Sequence, residues 1–401
     1  MLPPELDPAL PAAEAAVDTA AVADAFLRCW QGPGPAPSVR ECAPAYVRWW
    51  PGAELVATFT LKLEAPSPPG ATLISVSVRP EGTRYALLAA DIGLDGLSRA
   101  TDPTAMTPVL RDALRRDIPA CAITPVRYRP MRRCVLRFDV APDAASESVY
   151  GKVLRATEAT ALAVTLPLLG DMVAPVLATV PQWGLIIQAS TGGDSLNRVG
   201  KSAATHSDLE MVAGAARLLA RLHGASIDAA SRTLQDDAHS LLEFAPACER
   251  FAPGVAARLR DAAGRVGSFP SSDDLVPSHG AFRLDQVHIT QRGPVLIDVD
   301  SFCASERERD LGNLFAYLCW RAIRRPDAGD AVDSVRTQFL SAYERAASRR
   351  VDAERLRLYE AVSLLKIAGR RYPRLKTAEW PLVPQLIDAA ITLLAPAPVA
   401  R

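Results

Sequence analysis

The chain has 401 residues, 49% hydrophobic and 22% charged, with 45 basic and 45 acidic side chains and no formal net charge. That length exceeds one ordinary domain and predicts two or three compact units with sizeable cores. The balanced charge gives no global electrostatic case for nucleic acid or an anionic membrane, and no run of about 18 uncharged apolar residues marks a spanning helix.

The first twenty residues, MLPPELDPALPAAEAAVDTA, have early acids and prolines and no basic start before an apolar run, so a signal peptide is not expected. Turn-forming QGPGPAP (31–37) and EAPSPPG (64–70) punctuate the first region. Between them YVRWWPGAELVATFTL (46–61) alternates with the period of a strand. It aligns without gaps to PVRYRPMRRCVLRFDV (125–140), 79 positions on. Both read V-R-aromatic-x-Pro and then an alternating apolar run, with the proline at a strand entry. Further strand-like runs follow each copy, GATLISVSVR (70–79) and ESVYGKVLR (147–155). The pattern predicts duplication of a small β-rich unit. After the second copy, APDAASES (141–148) links two strands with small residues and no glycine.

Beyond residue 155 the periodicity becomes helical. TEATALAVTLPLL (157–169) precedes a short strand pair, APVLATV (174–180) and WGLIIQAS (183–190). A longer helix over 207–226 is expected to open on Ser207 as N-cap with Glu210 three residues later. The last hundred residues are predicted helical over 311–325, 332–350, 351–371 and 381–395. The expected domains are 1–115, 116–188 and 189–401. Seven cysteines lie at 29, 42, 121, 134, 248, 303 and 319 with no CxxC pair, which argues against disulfides or zinc and for a reducing, cytoplasmic setting. Only five of the 45 basic residues are lysine, at 62, 152, 201, 366 and 376, a bias expected of a GC-rich bacterial genome. Each lysine is therefore more informative than an arginine.

Several motifs stand in order: Lys152 in VYGKVL, LIIQASTGGDSL (185–196), LLARLH (218–223), HGAFRLDQ (279–286), LIDVD (296–300) and DLGNLFAYL (310–318). In this order they resemble the aminoglycoside phosphotransferase and choline kinase group, the protein-kinase-like small-molecule kinases. The resemblance runs from about residue 120 to the C-terminus, where RYPRLKTAEWPLVPQLIDAAITLL (371–394) looks like the last helices of bacterial members. It implies an α+β, two-lobed fold with a β-rich N-lobe and a helical C-lobe, and the sequence repeat adds an extra N-terminal α/β unit that repeats the N-lobe strands. It also implies ATP and Mg²⁺ as cofactors.

By this resemblance Lys152 neutralises the α- and β-phosphates, Glu158 pairs with it, and the backbone at Gln188 and Ala189 meets an adenine. Gln286 and Asp298 ligate Mg²⁺, a hard cation that prefers oxygen, and Asp300 is a second ligand or an N-cap. His279 and Asp310 support the loop by hydrogen bonds. The departure is Ala281, which stands where the group carries its catalytic aspartate. Losing that carboxylate slows proton acceptance by roughly 10²–10⁴-fold, and Asp285, four residues on, is the available substitute. Two readings follow: a phosphotransferase acting on a hydroxyl of a small molecule or peptide, or a pseudokinase that binds nucleotide or a protein partner. Arg127, Arg129, Arg132, Arg133 and Arg137 form a basic run, either a solvated face or, with the N-terminal unit, a docking surface for an acidic partner.

Overall fold

A computed structural model describes residues 3, 6–32, 34–64, 71–140, 147–199 and 204–395. Most of the predicted loop 64–70, most of the 141–148 link, Pro33 in the first turn-forming stretch, and Lys201 lie outside these residues. The chain divides into two compact units, Met1–Gly170 with Ala174–Ser190, and Asp171–Val173 with Thr191–Arg401. Residues 1–115 and 116–188, apart from 171–173, thus fall together in the first. Among the described residues no helix is long and apolar enough to cross a membrane.

The first unit begins with α1 (Ala13–Ala16) and α2 (Thr19–Cys29), then an antiparallel meander of β1 (Val39–Trp50), β2 (Glu54–Leu63), β3 (Leu73–Arg79) and β4 (Gly82–Leu87). It continues with α3 (Leu97–Ala100), α4 (Pro103–Leu114), β5 (Ala122–Arg129), β6 (Arg133–Asp139), β7 (Ser148–Leu154), α5 (Ala156–Leu168), β8 (Val176–Val180) and β9 (Leu185–Ala189). These last five strands form one sheet in the order β5-β6-β7-β9-β8. Its inner face, with Leu136, Phe138, Val149, Val153 and Ile187, shares a core with Leu97, Met106 and Leu110 of α3 and α4.

The sequence repeat is larger than its strands. Each aligned segment is a hairpin, so Pro51 and Pro130 occupy turns and not strand entries. Ala53 donates to Trp50 and Arg132 to Arg129 across four-residue turns, with Gly52 and Met131 at positive φ in the third position. Proline followed by positive φ is the signature of a type II turn. A bare methionine there goes unread in sequence because glycine is the usual occupant. The turn is buttressed identically in both copies. Asp7 Oδ2 accepts from the Trp49 indole at 2.9 Å and from Gly52 N at 2.7 Å. Asp91 Oδ2 accepts from the Tyr128 hydroxyl at 2.6 Å and from Met131 N at 2.7 Å. Each aspartate also binds the backbone two residues on through its other oxygen, at Ala9 and at Gly93. After each comes a four-residue helix and then a longer helix capped by an aspartate, Asp18 for α2 and Asp102 for α4. The duplicated element is therefore helix, helix and hairpin, not β-structure alone.

The second unit contains β10 (Asp194–Ser195), α6 (His206–His223), α7 (Leu234–Leu242), α8 (Ala245–Phe251), α9 (Pro253–Gly267), β11 (Val276–Ser278), β12 (Val287–Thr290), β13 (Gly293–Leu296), β14 (Cys303–Ser305), α10 (Glu308–Arg324), α11 (Gly329–Ala347), α12 (Ala353–Gly369) and α13 (Val383–Leu394). The cap of helix α6 lies two residues before the expected one. Thr205 and Asp208 form the capping box, because Asp208 also receives Arg198 at 2.7 Å while Ser207 and Glu210 are left within the first turns. Helices α10 and α12 cross closely at Gly312, where a Cβ would fall 2.6 Å from Glu360 N. Phe282, Phe315, Phe339 and Tyr343 are fully buried in this unit.

Candidate functional site

Two sets of expected residues sit in separate units. In the first, Lys152 is the fifth residue of β7, paired across the sheet with Val135 and Ile186. Strand alternation buries Val149, Gly151 and Val153 and sends Tyr150 and Lys152 to the other face. Glu158 lies in the first turn of α5 and ion-pairs with Arg155. Gln188 turns its amide to the Ala174 carbonyl at 2.9 Å. The Ala189 N–H, expected to meet an adenine, is donated to the Pro175 carbonyl at 2.9 Å, since pairing continues to the end of β9. That donor is spent within the sheet. In the basic run, Arg127 and Arg129 lie on the edge strand β5, and Arg137 is matched by Asp139 at 2.8 Å.

In the second unit the HGAFRLDQ segment is a loop between β11 and β12, closed by a buried network. Asp310, at 0% exposure, accepts from the His279 backbone N–H at 2.7 Å and more weakly from Phe282 N at 3.4 Å. The His223 Nε2 stands 3.3 Å from the same carboxylate, and its Nδ1 is hydrogen-bonded to the Tyr343 hydroxyl at 2.7 Å. Burial alone would raise the Asp310 carboxyl. The hydrogen bond from His223 and the charges of His223, His279 and Arg309 bring it below the ordinary value instead. Asn313, one helical turn on, donates to the Phe282 carbonyl at 2.9 Å.

His279, expected to support the loop by hydrogen bonds, is wholly buried, and its Nε2 binds the Ile297 carbonyl at 3.0 Å. That ring ties the loop to Ile297, the residue just after β13. Ile297 N in turn donates to the Gln286 carbonyl at 2.9 Å. With both backbone groups of Ile297 clamped, Asp298 follows at φ 59°, a left-handed conformation that asparagine and aspartate adopt more readily than other residues but that still stores strain. The same clamp sets Gln286 beside the Ile297–Asp298 backbone at the base of the β12–β13 hairpin. The Gln286 side chain is 4% exposed, and its Oε1 has no hydrogen-bond partner among the described residues. An orphaned buried acceptor costs about 1–3 kcal/mol, and in a native protein it commonly marks an ion or water position. An amide oxygen and a carboxylate are the donor set a magnesium ion takes when phosphates complete its shell.

Gly280, at φ 79°, holds the loop against the next turn: a Cβ there would meet the Ser301 carbonyl at 1.9 Å. Asp300 is exposed on that turn. Asp285 is ion-paired with Arg283 at 2.9 Å, and the Arg283 guanidinium lies 4.7 Å from the centre of the Tyr317 ring.

The fold has known counterparts. The choline kinase of Cryptosporidium parvum Iowa II superposes over 72% of this chain and 94% of its own, at 11% identity and a TM-score of 0.54. The chain has the choline kinase fold. Choline kinase LicA from Streptococcus pneumoniae follows at 12% identity over 72% of this chain and 98% of that one, with a TM-score of 0.49. An aminoglycoside phosphotransferase solved with ADP and hygromycin B covers the same shares at 13% and 0.48. No family model matches the sequence and no curated protein matches it.

Within this choline kinase fold, the sequence motifs marked the loop and its aspartate but missed what ties them together. His223 entered only as the end of LLARLH, and Asn313 and Tyr317 only as letters of DLGNLFAYL. The spacing Asp310, Asn313, Tyr317 puts all three on one face of α10, a pattern visible in the sequence itself.

Proposed function

We propose that the chain is an ATP- and Mg²⁺-dependent phosphotransferase with an alcohol group as acceptor. The observation that carries this reading is the buried, unpartnered Gln286 amide oxygen beside the clamped Asp298. A fold kept only as scaffold has no reason to retain an unsatisfied acceptor and a strained aspartate side by side. In this reading Gln286 and Asp298 hold the metal ion, with Asp300 as a further ligand or turn residue, and Lys152 neutralises the α- and β-phosphates. The bound ion supplies charge neutralisation for the phosphoryl group. Asp310, His223, Asn313 and His279 fix the loop that carries these ligands. Positioning and charge are most of what phosphoryl transfer requires, so the reading survives a weak base.

Ala281 favours a second reading, a pseudokinase that binds nucleotide without turning it over efficiently. Asp285, the candidate replacement, is turned to Arg283 at 2.9 Å, which occupies one of its carboxylate oxygens. ADP release from the wild type and from Ala281→Asp separates the two. A gain of roughly 10²–10⁴-fold in the variant means that the machinery is intact and only the base is missing. Equal, measurable turnover in both means that the base is supplied elsewhere. No ADP release from either, with Mg·ATP bound, leaves the pseudokinase.

A further inference from the structure

The face of α10 that meets the catalytic loop continues past Asn313 to Tyr317 and Arg321, residues four apart on one stripe. Around Tyr317 stand Arg283 from the loop, two residues after Ala281, and Arg370 and Arg371 just after α12. Arg283 stacks on the Tyr317 ring at 4.7 Å and binds Asp285 at 2.9 Å. Arg371 is matched by Glu379 at 2.6 Å. Arg321 is held by the Asn197 side-chain oxygen at 3.0 Å and by the Val199 carbonyl, with Asp285 near enough to feel its charge. Arg370 lies beside Tyr317 and 6.0 Å from the Phe244 ring. Among the described residues neither Arg321 nor Arg370 forms an ion pair with a carboxylate.

Four partly buried guanidinium groups thus gather against two carboxylates, next to the segment where an acceptor hydroxyl must lie. Burial would raise the Tyr317 phenol, yet Arg283, Arg370 and Arg371 pull it below its usual value, in keeping with the excess of guanidinium groups around it. Such a surface repels a quaternary ammonium or a polyamine. It suits an oxyanion, which arginine grips through paired N–H donors.

We infer that Arg370, Arg321 and Tyr317 form an acceptor subsite for a small alcohol bearing an anionic group, a phosphate or a carboxylate, and not for a cationic alcohol. The inference rests on the phosphotransferase reading for the word acceptor, but anion binding itself needs no nucleotide. Inorganic phosphate titrated calorimetrically into the full-length protein without nucleotide should bind, about tenfold or more weaker in Arg370→Ala. Binding should be unchanged in Lys152→Ala, which removes the expected nucleotide-phosphate contact. Arg321→Ala repeats the test should Arg370→Ala fold poorly. With Mg·ATP, sn-glycerol 3-phosphate or D-glycerate should stimulate ADP release, and whichever does so names the anion, while choline should not. Phosphate binding that is absent, insensitive to both arginine variants, or lost only in Lys152→Ala would overturn the subsite, as would stimulation by choline equal to that of the acids. Phosphate binding lost in the arginine variants, with no Mg·ATP binding to the wild type, would keep the anion site and discard the kinase reading.

Discussion

Replacing Asp310 by asparagine keeps the shape of the side chain and removes its charge. The carboxylate is fully buried and accepts from His279 N at 2.7 Å and from His223 at 3.3 Å. Hydrogen bonds to a buried charged group contribute about 1.5–3 kcal/mol each, and an amide in this place points one N–H₂ at a donor. The expected loss is about 3–5 kcal/mol. With a urea dependence of about 2–3 kcal/mol per molar for a unit of this size, the helical unit's midpoint should fall by about 1–2 M. Far-UV circular dichroism in urea measures it, and amide exchange at His279 and Phe282 should accelerate in parallel. The folded carboxyl lies below its ordinary value. Its stabilisation is therefore complete above the unfolded carboxylate range and is lost as pH falls through the folded value. The variant should lack that acid-side dependence. A midpoint within about 0.3 M of wild type, with exchange at the two amides unchanged, would refute the role given to the network.

A second buried cluster makes a sharper pH prediction. Asp237 receives Arg232, Arg309 and Lys366, the last at 2.7 Å, and it is held ionised while burial pushes Lys366 down to about 8. Both groups are lowered: Lys366 chiefly by burial, with Arg309 adding to it, and Asp237 because the charges of Lys366 and the two arginines outweigh its own burial. Between pH 8 and 10.5 the unfolded chain binds the extra proton, so stability attributable to Lys366 rises with pH there, by up to about 3 kcal/mol. Lys366→Met should abolish that rise relative to wild type and be neutral or stabilising near pH 7, whereas Asp237→Asn should cost about 3–5 kcal/mol. Urea midpoints of the three proteins at two pH values decide it. In the first unit, Asp91→Ala removes the acceptor of Tyr128 and of Met131 N and should destabilise by about 2–4 kcal/mol. Thermal melting that leaves Asp91→Ala equal to wild type would mean that the turn needs no buttress.

Much of this was legible in the residues. The helical C-terminal region and the strand of Lys152 follow from periodicity and motif order, because each depends on neighbours close in sequence. The hairpin turns did not, since Met131 adopts its positive φ only through Asp91, forty residues away. Nor did the spending of Ala189 N on Pro175, which depends on how far β8 pairs along β9. The α6 cap was misplaced by two residues because Ser207 and Thr205 both fit a capping pattern, and only the pairing of Arg198 with Asp208 separates them. The guanidinium cluster about Tyr317 escaped because Arg283, Arg321 and Arg370 are far apart in a chain where arginine is the default cation.

The central claim is that Gln286 and Asp298 hold a metal ion with nucleotide. Thermal denaturation of the full-length protein with and without Mg·ATP tests it most directly. A ligand present at 100 times its dissociation constant adds about 2.7 kcal/mol, a shift of several degrees, which Asp298→Asn should remove without lowering the melting temperature of the unliganded protein. No shift in the wild type with any nucleotide, or the same shift in Asp298→Asn, would contradict the account.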